Sequence, residues 1–294
     1  MFSISKKEIN QIFRTRLNEF ISFRRRFTRN RTSVFGFWTL FGIFVLAWGV
    51  PFTIQVNSLK MVADSFIPPS FDYIMGTDDL GRNVLHQIII GAQTSIMVGI
   101  TAAIVSTLIG LLVGAMSGYY GGKTDSILMR ITEFFMVVPK FFLALILVAI
   151  LGASIWNIIL AIGVLAWPRT ARLVRGEFLR FKNLEFVMAA KALGASNLRI
   201  IFQEILPNAI PPVIVNTALE VGSAITVEAG ISFLGLGDPQ QMSWGVILFQ
   251  SQMFIRRAPW MSIFAGAGIF LTVLSLNLLA DGLNEALNPK FRRI

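Results

Sequence analysis

Long apolar segments constrain this chain more than any other feature of its sequence. A helix needs about 20 largely apolar residues to cross a bilayer. Of the 294 residues 54% are apolar and only 14% are charged, a composition typical of polytopic membrane proteins. We therefore predict an all-α, multi-pass protein of the cell membrane. Its six expected transmembrane helices cover approximately Val34–Gln55, Ala92–Gly118, Met129–Leu151, Ile155–Ala171, Pro211–Leu234 and Pro259–Ala280.

The basic residues between these segments predict the orientation of the chain. If the N-terminus lies inside, the inner segments contain 21 of the 26 Lys and Arg residues, whereas the outer segments contain four and Lys140 lies within the third span. Because cytoplasmic loops are rich in Lys and Arg, both termini are predicted to be cytoplasmic. The net charge of +10 then reflects topology and contact with membrane lipid, and we predict no nucleic-acid partner.

The first 32 residues form a basic segment, and residues 33–294 are predicted to form the transmembrane domain. In the N-terminal segment the apolar residues fall near one helical face, which predicts an amphipathic helix in the membrane interface; they are Ile9, Phe13, Leu17, Phe20 and Ile21. A disordered basic tail is the alternative. The apolar run that follows is too long for a cleaved signal peptide.

The residue types available for chemistry are few. The chain has no cysteine, and His86 is its single histidine, so we predict no metal site and no catalytic residues. The stretch "SGYYGGKT" is close to a phosphate-binding loop, but Ser117 stands where that loop requires glycine. We therefore predict a tight inner turn at Gly121, Gly122 and Asp125 in place of a nucleotide site.

A polar helical stretch, "EFVMAAKALGASNLRIIFQEILPNAI", begins at Glu185 between the fourth and fifth spans. Small residues at helical spacing permit the close approach of a partner, and Gly194 is expected to end this first helix. A second helix, capped by Ser196 or Asn197, is predicted to continue through Pro207 into the fifth span. Such a module can carry force between a soluble partner and the membrane helices.

The segment "MAAKALGASNLRIIFQEILP" resembles the cytoplasmic EAA loop of ABC importer permeases. Residues Ala189, Ala190, Gly194, Leu206 and Pro207 match the motif in register, whereas Met188 replaces its Glu and Glu204 replaces its Ile. From about Arg24 onward the chain is similar to the C-type subunit of the peptide/nickel permease group. The segments that carry this similarity are "GTDDLGRNVLHQIIIGAQTSIMVGI", "GYYGGKTDSILMRITEFF", "WPRTARLVRGE", "EAGISFLGLG" and "ADGLNEALNP".

This resemblance implies a type I ABC importer permease fold, with a coupling loop at about residues 169–208. It also implies four kinds of partner: a second, B-type permease, two cytoplasmic ATPases, an extracytoplasmic binding protein and membrane lipid. ATP and Mg would be used by the ATPases, with no cofactor in this chain. The expected ATPase-docking residues are Ala189, Ala190, Lys191, Leu193, Gly194, Ala195, Ser196 and Asn197.

The implied substrates are oligopeptides or dipeptides. Nickel chelates, oligosaccharides and other small solutes are alternatives within the same machinery. An autonomous ion-coupled transporter is an alternative of a different class, and inverted repeats would favour it, but the sequence has no evident repeat.

Charged residues within the apolar segments are candidates for the translocation pathway, because an isolated charge at mid-depth is costly. Lys140 and Glu220 are both expected near mid-depth, where they either form a pair, line the pathway or extend to the interface. Glu228 is expected near the outer end of the fifth span, as a structural or a substrate-contacting residue. Outside the spans, Asp78 and Asp79 form either a structural turn or an acid/base or cation site.

Overall fold

A computed structural model describes residues 21–287 of the chain. The predicted amphipathic face before Ile21 and the basic residues after Leu287 lie outside the described residues. A helical stretch over residues 21–29 precedes nine helices in the described range. They are α1 (Arg31–Thr53), α2 (Val84–Tyr120), α3 (Gly122–Val137), α4 (Lys140–Leu151), α5 (Ile155–Phe181), α6 (Glu185–Ala192), α7 (Asn197–Leu236), α8 (Trp244–Ser251) and α9 (Pro259–Leu287).

Five of these helices, α1, α2, α5, α7 and α9, are long and apolar enough to cross a membrane, and α3 with α4 forms a bent sixth candidate. The prediction of an all-α chain is confirmed, since residues 21–287 contain no strand and only two isolated β-bridges, both in the outer loop. The predicted number of six spans agrees with the structure when the bent pair counts as one.

The third predicted span, over Met129–Leu151, is not one continuous helix. The helix breaks at Val138 and Pro139, and α3 and α4 meet at an angle of 84°. Proline has no N–H group to donate and disfavours the helical conformation of the preceding residue, and Val138 has an extended ψ of 130°. Lys140 therefore occupies the first turn of α4, beside the bend, and not the middle of a continuous helix.

Helices α2 and α5 approach each other closely because glycines line one face of α2. Gly110, Gly114 and Gly118 follow one another at intervals of four residues, so they lie on one face of the helix. A Cβ atom at Gly110 or Gly118 would lie only 2.6 Å from the Cβ of the facing residue on α5. The hydrophobic effect does not drive helices together in lipid. Small residues instead let the two backbones approach closely, so that van der Waals contacts stabilise the pair.

The outer loop between α1 and α2 is fixed by a buried carboxylate. Asp78 is fully buried and accepts from Arg82 Nε at 2.5 Å and from Gln87 Nε2 at 2.6 Å. Asn83 then caps the first turn of α2 by accepting from the Leu85 N–H. The geometry favours the structural alternative for this turn, because the Asp78 carboxylate already has a cationic partner.

Candidate functional site

The polar stretch forms a helix, a turn and a second helix, as its sequence predicts. Helix α6 ends at Ala192, and Gly194 adopts a left-handed φ of +79° that glycine accommodates without a steric penalty. The Gly194 N–H donates to the Lys191 carbonyl, and the Ala195 N–H donates to the Ala190 carbonyl, both at 3.0 Å. These two bonds define a Schellman motif, which reverses the chain at a fixed angle.

The second helix begins at Asn197, where the Ser196 hydroxyl accepts from the Arg199 N–H at 3.3 Å. Helix α7 then continues through Pro207 to Leu236, with π-helical turns at Ile200–Ile205 and Ser232–Leu236, the second of which is kinked at Gly235. The prediction of a continuous connection to the fifth span is confirmed. Any displacement of the turn at Gly194 is therefore applied to a membrane helix without an intervening loop.

From here on, the name coupling loop refers only to Glu185–Asn197, the part of the predicted loop at about residues 169–208 that lies between α5 and the first residue of α7. Val187 fixes it to the bundle, since this residue is fully buried in an apolar cluster with Val174 and Phe178 of α5 and with the start of α7. The opposite side of α6 is open: Met188 is half exposed and Leu193 is 89% exposed. A wide-mouthed depression of ≈ 370 Å³ lies between α6 and the start of α7. Exposed apolar area of this kind marks an interaction surface.

The eight predicted docking residues lie together on this loop. Six are exposed, namely Ala189, Lys191, Leu193, Gly194, Ser196 and Asn197, whereas Ala190 and Ala195 are partly buried. Among residues 21–287, no atom beyond its two chain neighbours lies within 4 Å of a Cβ built at Gly194. The surface around the turn is therefore free for a partner, and the role of these residues in docking stays a prediction.

Several residues that support the coupling loop were not identified from the sequence. The Tyr119 hydroxyl donates to Asn197 Oδ1 at 2.7 Å, across 78 positions of the sequence. Arg175 forms two hydrogen bonds with Asp125 at 2.6 and 2.7 Å, and Lys182 donates to the Gly118 carbonyl at 3.0 Å. Asp125 was assigned only to the turn, and no local pattern indicates its partner on another helix.

The inner turn between α2 and α3 has the predicted form. Only Gly121 separates α2 from α3. Such a tight turn requires the positive φ values of Gly121 and Gly122, which are +67° and +52°. Ser117 donates a hydrogen bond to Asp125 across this turn. The segment resembling a phosphate-binding loop is thus a helix-to-helix corner fixed to α5.

Two of the predicted pathway residues lie near each other. Glu220 is only 3% exposed, and its Oε1 has no hydrogen-bond partner within the described residues. Lys140 and Arg169 are close enough to interact with it electrostatically. No ion pair within 4.0 Å joins either cation to Glu220 in residues 21–287. The bend at Pro139 thus places a cationic residue beside a buried carboxylate that has no direct partner.

Glu228 has a different environment. It is 2% exposed and accepts hydrogen bonds from three serine hydroxyls, at 2.8 Å from Ser232, 2.7 Å from Ser243 and 3.2 Å from Ser95. Together these bonds connect α7 with α2 and with the segment before α8. The arrangement favours the structural alternative for Glu228, since both carboxylate oxygens are satisfied within the protein.

Within residues 21–287 no group of three or more His, Asp or Glu side chains is placed to hold a metal ion.

Comparison with known proteins identifies the family. Residues 108–293 match the model described as "Binding-protein-dependent transport system inner membrane component". The "Oligopeptide transport system permease protein OppC" of Bacillus subtilis (strain 168) is 37% identical over 270 residues, which cover 91% of this chain and 88% of that relative. The "Dipeptide transport system permease protein DppC" of the same organism is 39% identical over 272 residues, covering 92% of this chain and 85% of that relative.

A solved structure supports the same fold. One chain of the inward-facing MetNI methionine ABC transporter aligns with a TM-score of 0.56 at 20% identity, covering 69% of this chain and 96% of that chain. The family model and the two relatives confirm the sequence resemblance to ABC importer permeases. The chain belongs to the family of binding-protein-dependent transport system inner membrane components.

Proposed function

We propose that this chain is one half of the translocation pathway of an ATP-driven importer for oligopeptides or dipeptides. The observation that carries the proposal is the coupling loop, an exposed helix–turn–helix that continues directly into a membrane helix. Curated relatives named for oligopeptide and dipeptide transport align with nine-tenths of the chain, and this supports the substrate class.

The coupling loop would dock in a cytoplasmic ATPase. Leu193 and Met188 offer apolar area to such a partner, and Gly194 leaves space for close approach. Met188 replaces the motif's acidic residue, so the contact at this position is apolar rather than ionic. ATP and Mg would be consumed by two ATPase subunits, and a B-type permease would complete the pathway.

Lys140 and Glu220 would lie along the pathway. The Oε1 atom of Glu220 is buried and has no hydrogen-bond partner among residues 21–287, and Lys140 is partly exposed beside the bend. A charged peptide passing between the two permease subunits would meet these groups in a region of low dielectric, where a charge interacts more strongly than in water. We place Glu228 near the outer gate, where its serine contacts give it a structural role.

The test is reconstitution of the full complex, with the second permease, the ATPases and the binding protein supplied from the same genomic neighbourhood. We expect ATP-dependent uptake of a labelled dipeptide or oligopeptide into proteoliposomes that contain the binding protein. Uptake of a nickel chelate or an oligosaccharide in place of peptide would retain the mechanism and change the substrate. Uptake by this chain alone, driven by an ion gradient, would refute the proposal.

A further inference from the structure

A single tyrosine connects the coupling loop with a second membrane helix. We propose that Tyr119 is a positioning residue that transmits displacement of the coupling loop to α2, in addition to the direct path through α7. This inference rests on the function proposed above, because it concerns how the work of the ATPase reaches the pathway.

The contacts of Tyr119 span both sides of the Gly194 turn. Its hydroxyl donates to Asn197 Oδ1 at 2.7 Å, at the first residue of α7. The ammonium group of Lys191, on α6, lies 5.5 Å from the centroid of the Tyr119 ring, within the range of a cation–π interaction. One side chain from α2 thus contacts both α6 and the first residue of α7.

The end of α2 that carries Tyr119 is firmly held. The Gly118 carbonyl accepts from Lys182 Nζ at 3.0 Å, and Asp125 at the start of α3 pairs with Arg175 through two hydrogen bonds. Bidentate Arg–carboxylate pairs fix geometry as well as contributing energy. The α2–α3 corner and the inner part of α5 therefore form one unit, and Tyr119 joins the coupling loop to it.

The two paths from the coupling loop differ in regularity. Helix α7 contains the π-helical turn at Ile200–Ile205 and, just after it, Pro207, Pro211 and Pro212, features that locally interrupt the regular hydrogen-bond ladder. Helix α2 is regular over its 37 residues, a length of about 55 Å, and begins next to the outer turn built on Asp78. Motion applied at Tyr119 would therefore reach the opposite side of the membrane through a regular helix.

The experiment measures peptide transported per ATP hydrolysed by the reconstituted complex. Tyr119→Phe keeps the ring and removes only the hydroxyl that binds Asn197. We expect this ratio to fall about fivefold, the lower end of the range for a coupling between sites, with the rate of ATP hydrolysis unchanged. Tyr120→Phe is the matched control: this adjacent residue is 50% exposed, and its hydroxyl makes no hydrogen bond within residues 21–287. It should retain the wild-type ratio.

A double-mutant cycle tests the specific bond. In an Asn197→Ala background, Tyr119→Phe should cause no further loss, because the acceptor is already gone. A wild-type ratio in Tyr119→Phe, or the same loss in Tyr120→Phe, would overturn the inference. So would a parallel fall in Tm, ATP hydrolysis and transport, which would indicate only a structural role. Absence of peptide uptake by the wild-type complex would instead refute the proposed function, and the two failures are therefore distinguishable.

Discussion

Replacing Gly114 with alanine should force α2 and α5 apart. A Cβ at this position would lie 2.7 Å from the Cβ of Val174, 3.0 Å from the backbone nitrogen of Arg175 and closer still to the carbonyl oxygen of Ala171. Carbon atoms pack best at about 3.5–4.0 Å, so the helices lack about 1 Å of the space required. Two of the three obstructing atoms belong to the backbone, and no change of rotamer can remove them.

The cost follows from this lack of space. Overpacking a tight interface typically costs about 1–3 kcal/mol, and a gap of about 1 Å forfeits up to half of the dispersion attraction between facing atoms. The flanking contacts at Gly110 and Gly118 would lengthen as well. Alanine recovers about 0.5–1 kcal/mol through its higher helix propensity. The net loss in the free energy of unfolding should be about 2 kcal/mol.

Thermal unfolding of the purified complex in one detergent measures this effect. A loss of about 2 kcal/mol should lower Tm by about 3 °C for a chain of 294 residues. Gly176→Ala on α5 is the matched control, because no atom of the described chain outside the local helix backbone lies within 4 Å of a Cβ built there, and it should keep or raise Tm. Equal Tm values for the two variants would refute the argument from close helix packing.

Three further predictions concern the loop and the charged residues. Gly194→Ala should weaken co-purification of the ATPase about fivefold, because a left-handed φ costs alanine about 1 kcal/mol. Gly194→Asn should weaken it less, because asparagine tolerates this conformation better. Equal recovery of the ATPase with both variants and the wild type would contradict this prediction. Asp78→Asn should lower stability by about 3 kcal/mol, because the buried Arg82 would lose its close ion pair and keep only the longer contact with Asp79 at 3.9 Å. Asp79→Asn, which removes only that longer contact at a more exposed carboxylate, should change Tm little. Lys140→Met and Glu220→Gln should each reduce peptide uptake. The double variant should take up no more peptide than the worse single variant, because no direct ion pair joins the two residues. Recovery of uptake in the double variant would show that they act as a pair.

Much of the architecture could be predicted from the sequence because bilayer thickness imposes a clear length scale. The number of apolar segments, the turn at Gly194 and the capped start of the second helix all depend on local sequence. The structure confirms them, and of the two predicted caps, Ser196 and Asn197, it selects Ser196. Each is determined by the conformational preferences of a few adjacent residues.

The features missed by sequence reasoning depend on residues far apart in the chain or on one local signal that was overlooked. Pro139 was present within the third apolar segment and predicts the break that the structure shows. The bond from Tyr119 to Asn197 and the pairing of Asp125 with Arg175 each join separate helices. No periodicity within one segment can indicate such partners, because the packing of the helices selects them.

The most direct test of the account is cross-linking from the coupling loop to the ATPase. The chain contains no cysteine, so Leu193→Cys, at a position 89% exposed, would carry the single site for a thiol-specific photo-cross-linker on this subunit. Phe71→Cys, at a fully exposed position in the outer loop, is the control on the opposite side of the membrane. The account predicts an adduct of the ATPase with Leu193→Cys and none with Phe71→Cys. An ATPase adduct from Phe71→Cys, or none from Leu193→Cys in an assembled complex, would contradict it.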